Sequence, residues 1–440
     1  MRQTRPFRLL FHAVLVLLLS TPVILLLMAL ETSPKVSPAS ALSPSEIAQV
    51  ESLLLDTAPE TPGLESEHEL RFNQQELDLL MRYALHFLEL SPAWAGELDL
   101  AEDRLTALLS IAISESFWPT MLNVEAEFLL RNDRLELSTL VLGNLELPPS
   151  LLQFALERLT QKLSESAANT LEARELLANI DYIDIDPDSL TVGMHWDPDL
   201  VTRLSRESQR LFIPPSDQSR VMHYYRQISL LAAAMPAGLR AVSLNSFLKP
   251  LFASAQERSL AGNDPVAENR SLLQTLAIFV NNEDIDLLLG QELATELEPA
   301  RFIEVRLHRR QDLAQHLVSA AALSASAGAG FALLLSNTKE AYDARYRSGF
   351  SFSDLAANSA GVLLASLATR NAASAKLMQD RITQISAESD YMPNIGNNRD
   401  GILEPEFNAL YVNRSSPKYQ ARMQEIEQQI ASRPLFQGLP

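Results

Sequence analysis

Alternation of apolar and polar side chains marks two stretches, MLNVEAEFLL at residues 121–130 and RLELSTLVLGNLEL at residues 134–147. A period of two is typical of β-strands that bury one face. Arg131, Asn132 and Asp133 separate the stretches and predict a tight turn. The apolar run LTALLSIAIS comes just before and predicts a third strand. This part of the chain is therefore expected to form an antiparallel meander.

Helical patterns flank the meander. Residues 72–89 carry apolar side chains at helical spacing, and PSLLQFALERLTQKL, beginning at Pro149, predicts an amphipathic helix. A further hairpin is expected at residues 180–196, with its turn at Pro187 and Asp188. Helices beside an antiparallel sheet indicate an α+β protein. The full prediction is an N-terminal transmembrane helix, a helix-on-antiparallel-sheet domain and a mostly helical C-terminal part.

Beyond residue 200 the apolar period is helical, apart from one short strand expected in ARFIEVRLH at residues 300–308. Prolines and changes of composition divide the chain into six predicted segments. They are residues 1–30, cytoplasmic arginines and a transmembrane anchor; 31–66, a Pro/Ser-rich stalk with one short helix; 67–200, an α+β domain; 201–308, a mainly helical domain; 309–380, a helical segment; and 381–440, an irregular tail with a final helix.

The N-terminus carries the signals of a membrane anchor. Residues 9–30 contain no charged side chain and follow Arg2, Arg5 and Arg8. As a helix they would extend roughly 33 Å, enough to cross a hydrocarbon core of about 30 Å. The arginines place the N-terminus in the cytoplasm and the rest of the chain outside. A cleaved signal peptide is the alternative, although the nearest small-residue cleavage pattern, at 39–41, lies well beyond the apolar run.

Composition excludes several classes of function. The 440 residues contain 36 Lys and Arg against 55 Asp and Glu, a net charge of −19, which argues against a nucleic-acid partner. The absence of cysteine excludes disulfides, thiol catalysis and thiolate zinc sites. None of the seven histidines forms a close-spaced metal pair, and no phosphate-binding or nucleophile motif is present. The sequence predicts no metal, no cofactor and no assigned catalytic residue.

Short polar stripes mark three helices expected in the Ala- and Leu-rich segment after residue 309. Within each stripe the residues are three or four apart, so they share a helix face. The stripes contain Asp312 and His316 on the first helix, Glu340 and Asp343 on the second, and Asp354 and Asn358 on the third. Buried polar groups need partners, so the stripes are expected to face one another, with His316 beside a carboxylate. Ser351 is expected to cap the third helix and Gly361 to permit close helix packing. Solvated helix faces are the alternative.

Three motifs in residues 312–361 carry a resemblance: D-x-x-x-H, K-E-x-x-D and S-G-F-S-F-x-D-L-A-A-N-x-A-G. This pattern resembles the YfiM-type lipoproteins and, more distantly, the VanZ-like membrane proteins. The matching positions are Asp312, His316, Lys339, Glu340, Asp343, Ser348, Gly349, Phe350, Ser351, Phe352, Asp354, Leu355 and Gly361, with Asn358 matching the VanZ-like form. Those families have no established reaction, so the resemblance implies no catalytic role. This chain also lacks their lipidated cysteine.

The order of segments along the chain also resembles the order found in a set of uncharacterised proteobacterial membrane-anchored proteins. That resemblance implies an inner-membrane location, single-pass through residues 9–30, with a periplasmic body. We further expect residues 317–338 not to cross the membrane, because Ala, Ser and Gly fill thirteen of these twenty-two positions.

The sequence is compatible with three functions. The first is a non-enzymatic envelope protein that binds a protein partner or holds part of an assembly, which fits the anchor and the missing motifs. The second is a carrier or sensor of a lipid or other apolar ligand. The third is a hydrolase acting on cell-wall or lipid-linked material, with His316, Glu340 and Asp354 as acid–base groups.

Overall fold

The structure is a computed structural model that describes residues 28–37, 44–57, 59, 64–87, 94–114, 120–154, 158, 179–197, 213–394, 400–414 and 416–438. The chain divides into two compact units. Unit 1 comprises Met1–Val50 and Thr61–Leu200, and unit 2 comprises Glu51–Glu60 and Val201–Pro440. All but the last three residues of the predicted span at 9–30 lie outside the described residues. Within the described ranges, no helix has the length and apolar character needed to cross a bilayer.

Unit 1 is built on antiparallel strands. The strands are β1 Leu30–Glu31, β2 Ser66–Asn73, β3 Trp94–Ala101, β4 Arg104–Ser114, β5 Thr120–Arg131, β6 Arg134–Leu142, β7 Leu145–Glu146, β8 Ile180–Asp186 and β9 Ser189–Trp196. One sheet has the order β3-β4-β5-β6-β7, with β1 also paired to β5, and the other has the order β2-β9-β8. The predicted meander is confirmed as β4, β5 and β6. Its second turn has positive φ angles at Asn132 and Asp133, which a two-residue hairpin turn requires.

Helix α1, Pro44–Asp56, begins in unit 1 and ends in unit 2, whereas helix α2, Gln74–Phe87, belongs wholly to unit 1. Helix α1 confirms the short helix expected in the stalk, but residues 31–66 also contribute β1 and the first residue of β2. The helix predicted at 72–89 begins only at Gln74, because the preceding residues pair with β9 along the whole of β2. The predicted hairpin at 180–196 is confirmed as β8 and β9. Most of the amphipathic helix expected after Pro149 lies outside the described residues.

Helix α2 covers the edge of the larger sheet. The Asp78 carboxylate accepts the Leu98 N–H at 3.1 Å, and the Gln74 side chain accepts the Leu100 N–H at 2.9 Å. These contacts pair backbone groups of β3 that would otherwise form an open edge. On the apolar side, Leu77 of α2 packs with Leu100 of β3 and with β8. In the described part of unit 1, helix α2 therefore shares a small core with both sheets.

The described residues of unit 2 contain helices and one short parallel strand pair, β10 Ala241–Ser243 and β11 Glu304–Arg306. Its helices are α3 Gln218–Ala234, α4 Asn245–Leu260, α5 Pro265–Val280, α6 Asp286–Ala294, α7 Gln311–Ala327, α8 Ala329–Tyr346, α9 Phe352–Thr369, α10 Ala372–Gln384, α11 Glu404–Tyr411 and α12 Pro417–Ala431. Helix α5 is buried along almost all of its length. One continuous core reaches from Tyr224 to Phe436. The predicted segments 201–308, 309–380 and 381–440 thus share a single core.

Helices α7 and α9 lie unusually close together. A Cβ atom at Gly361 would lie 2.1 Å from the Leu317 carbonyl oxygen, so only glycine fits at this crossing. The close approach expected at Gly361 is confirmed. Helix α7 ends where Gly328 adopts a φ of 93°, and α8 begins at the next residue. Residues 317–338 therefore do not form one continuous helix.

Candidate functional site

The N-terminus of α9 organises the polar residues of the three helices. Ser351 caps α9, since its Oγ accepts the Asp354 N–H at 3.1 Å, as its spacing predicted. In a capping box, the side chain of the third helical residue accepts the N–H of the capping residue. Here Glu340 takes that place, because the Ser351 N–H donates to Glu340 Oε2 at 3.1 Å. The Ser351 hydroxyl also donates to Asp400 Oδ1 at 2.9 Å. One serine therefore ties α8, α9 and the segment before α11 together.

His316 of α7 lies between two side chains of α9. Its Nδ1 is 3.1 Å from Asn358 Oδ1, and its Nε2 is 3.5 Å from Asp354 Oδ2. Asn358 Oδ1 can only accept, so Nδ1 carries the proton of this hydrogen bond. The carboxylate partner expected for His316 is therefore Asp354. The histidine side chain is 15% exposed and the aspartate side chain 16% exposed, so neither is sealed in the core.

Glu340 of α8 is the most buried acid of the cluster, with 1% of its surface exposed. Its Oε1 has no hydrogen-bond partner within the described part of the chain, and the Lys339 ammonium lies 3.6 Å from it. Burial, together with the negative charge of Asp354, raises the pKa of Glu340 from 4.5 to about 8. Burial also raises the pKa of Asp354, while the neighbouring His316 and Arg310 oppose that rise.

Three of the six predicted residues converge on one point. His316, Glu340 and Asp354 each offer one ligand atom, and these atoms all lie within 4.8 Å of one another. The other acids bind cations at the margin of the cluster. Asp312 Oδ2 accepts from Arg310 at 2.6 Å, and Asp343 Oδ2 accepts from Lys339 at 2.7 Å. The sixth residue, Asn358, orients His316.

Two residues of the site, Arg310 and Asp400, were not identified from the sequence. The Arg310 guanidinium lies 2.6 Å from Asp400 Oδ2 and 3.4 Å from Asp354 Oδ1, so it links three carboxylates. Asp400 reaches the site because Phe350 and Ile402 form an isolated antiparallel bridge. The adjacent backbones of Gly349 and Gly401 are then too close for any side chain at position 349. In the sequence, the run Asn-Asn-Arg-Asp-Gly at residues 397–401 indicates a turn, but a turn signal does not show which helix the turn contacts.

A cleft of about 470 Å³ opens beside the cluster. Its lining includes Asp312, His316, Ser319, Leu323, Lys339 and Asn358. Donors and acceptors are both present, and Leu323 adds apolar surface. His316 is thus the member of the converging trio that faces the cleft, while Glu340 and Asp354 lie behind it.

No protein-family model, curated protein or solved structure matches the chain. The resemblance to YfiM-type and VanZ-like proteins therefore stays a prediction based on its quoted motifs.

Proposed function

We propose that this chain is an envelope protein, anchored in the inner membrane by residues 9–30, that binds a polar segment of a partner protein in the cleft beside His316. The observation that carries the proposal is the position of the predicted polar residues. Asp312, His316 and Asn358 line one cleft, and His316 also lies beside Glu340 and Asp354. Lys339 and Ser319 supply donors there, and Asp312 supplies an acceptor. The apolar run and the arginines before it support the anchor.

Site-specific photocrosslinking in cells tests this proposal. A photoreactive amino acid at Ser319 lies in the cleft, whereas the same group at Leu230 lies on an exposed part of α3 outside it. We expect a discrete protein adduct from position 319 only, and we expect Asp312→Asn with Lys339→Gln to abolish it. Equal adducts from both positions would contradict the proposal. A lipid adduct at position 319 would indicate the carrier of an apolar ligand instead.

The anchor is tested separately. An alkaline phosphatase fused after Pro440 should be active, because the positive-inside bias places the body in the periplasm. Mass spectrometry of membrane-extracted protein should find the N-terminal arginines still attached. A mature N-terminus near residue 31 or 42 would show that the span is cleaved.

A hydrolase acting on cell-wall or lipid-linked material is the second candidate. It is favoured by the position of His316, which lines the cleft while Asn358 holds its Nδ1 and Asp354 lies beside its Nε2. A histidine oriented in this way suits proton transfer to a bound substrate. Purified protein should then convert cell-wall fragments or lipid-linked saccharides to new masses, and His316→Gln should abolish the conversion without lowering the melting temperature. Identical product profiles from both proteins would exclude this candidate.

A further inference from the structure

The three converging side chains share one feature. In each of them a neighbouring group contacts one polar atom, and the second polar atom of the same side chain is left for the cluster. His316 Nδ1 is held by Asn358, which leaves Nε2 on the side of Asp354. Glu340 Oε2 accepts the Ser351 N–H, which leaves Oε1 without a hydrogen bond from any described residue. Ligands of protein-bound metals are held in this way, with the outer atom of each ligand fixed by a neighbouring group.

Asp354 follows the same rule. Its Oδ1 lies 3.4 Å from the Arg310 guanidinium, and its Oδ2 faces His316 Nε2 at 3.5 Å. With the proton of a neutral imidazole on Nδ1, the lone pair of Nε2 points toward a carboxylate. Two acceptors placed like this repel one another unless a positive species lies between them. That species is either a proton held by the His316–Asp354 pair or a cation.

Glu340 Oε1 favours a cation, because its nearest charged neighbour, the Lys339 ammonium, lies 3.6 Å away and does not form a hydrogen bond with it. A proton held by the His316–Asp354 pair would satisfy the contact between those two side chains but would leave Glu340 Oε1 buried without a hydrogen bond. Leaving a buried acceptor unpaired is unfavourable, so native structures rarely do it. A single ion among the three side chains would satisfy all three ligand atoms together.

We propose that His316, Glu340 and Asp354 bind one divalent transition-metal ion of the zinc class. One imidazole nitrogen and two carboxylate oxygens form a ligand set that Zn²⁺ accepts, whereas Ca²⁺ and Mg²⁺ prefer oxygen alone. This inference stands apart from the proposed partner binding. The sequence predicts no metal site, because the three ligands lie on three helices and no two are closely spaced.

The distances suit such an ion. Metal–ligand bonds of about 2.1 Å place two ligands of a tetrahedral zinc roughly 3.4 Å apart. His316 Nε2 and Asp354 Oδ2 already lie 3.5 Å apart, and no pair of ligand atoms exceeds 4.8 Å. Closing around an ion therefore needs a contraction of at most roughly 1.4 Å at the widest pair. The cleft lined by His316 gives solvent access to one of the three ligands.

Metal titration of the full-length chain, purified in detergent and stripped with a chelator, tests this inference. We expect Zn²⁺ to bind with one saturable equivalent by calorimetry, and Co²⁺ to give visible absorption bands at the same stoichiometry. Glu340→Gln and His316→Gln should each weaken Zn²⁺ binding by about tenfold or more, since even the outer contacts of a metal site change affinity by about that much. Asp343→Asn is the matched control, because Asp343 lies on the same helix and pairs with Lys339 instead.

A measurement on the unsubstituted protein covers the case in which a variant fails to fold. Addition of Zn²⁺ should shift the ¹⁵N resonance of the His316 Nε2 atom and leave the Nδ1 atom protonated. The proposal is overturned if Zn²⁺ shows no saturable binding, if Asp343→Asn weakens it as much as Glu340→Gln does, or if the His316 resonances do not move.

Discussion

Replacing Gly361 by alanine should open the contact between α7 and α9 and disturb the candidate site. The new Cβ atom would lie 2.1 Å from the Leu317 carbonyl oxygen and 3.1 Å from the Ala321 nitrogen. Both neighbours are backbone atoms, so neither can rotate away. Restoring an ordinary contact of 3.4 Å requires the helices to separate by about 1.3 Å. That displacement would stretch the 3.1 Å contact between His316 Nδ1 and Asn358 Oδ1 beyond hydrogen-bonding distance.

The energetic cost follows from three contributions. Overpacking costs about 1–3 kcal/mol, and loss of the hydrogen bond adds about 1 kcal/mol. The higher helix propensity of alanine returns about 1 kcal/mol. Gly361→Ala should therefore lower the free energy of unfolding of unit 2 by about 2 kcal/mol. It should also weaken Zn²⁺ binding, because His316 would lose the contact that orients it.

Hydrogen exchange of α7 and α9 under increasing urea measures this change. The three tryptophans of the chain all lie within Thr61–Leu200, so their fluorescence reports on unit 1 and provides an internal control. Ser359→Ala on the same helix is the matched variant, since Ser359 is only partly buried. It should change the free energy of unfolding by less than about 0.5 kcal/mol. A Gly361→Ala protein with unchanged exchange in α7 and α9 and unchanged Zn²⁺ affinity would refute the reasoning.

Three further substitutions give expected outcomes. The pKa of Glu340 rises on folding from 4.5 to about 8, so metal-free unit 2 should lose stability as pH rises across that range. Glu340→Gln should remove this loss, which amounts to roughly 4 kcal/mol or less by pH 8. Urea unfolding of the unsubstituted protein would give equal free energies of unfolding at pH 5 and pH 8 if the assignment is wrong. Ser351→Ala removes the cap of α9 and the bond to Asp400, so it should cost about 1–2 kcal/mol in urea unfolding, whereas Ser351→Thr should restore the wild-type value. Glu268→Gln weakens the ion pair between the fully buried Glu268 carboxylate and the partly exposed Arg258, so the melting temperature should fall by several degrees, corresponding to roughly 2–3 kcal/mol. An unchanged melting temperature would show that the pair contributes nothing.

Local sequence patterns predicted the helices and strands of this protein well where residues close together in the sequence determine the secondary structure. The prolines and the helical period of unit 2 place its main helices, and the alternation of residues 121–147 places the meander. Strand β2 was missed because its partner β9 lies more than a hundred residues away. A short strand with mixed polarity becomes recognisable only when its partner is known.

The same division holds at the candidate site. Residue spacing alone indicates which face of each helix is polar, because positions three or four residues apart share a helix face whatever the fold. Whether those faces meet depends on how the helices pack against one another. The meeting depends on Gly361, which allows α7 and α9 to touch, and on the bridge from Phe350 to Ile402, which brings Asp400 to Arg310. Arg310 contacts Asp354, which lies 44 residues further along the chain, and Asp400, which lies 90 residues further. Such contacts depend on how helices pack, and helical periodicity carries no information about which helices become neighbours.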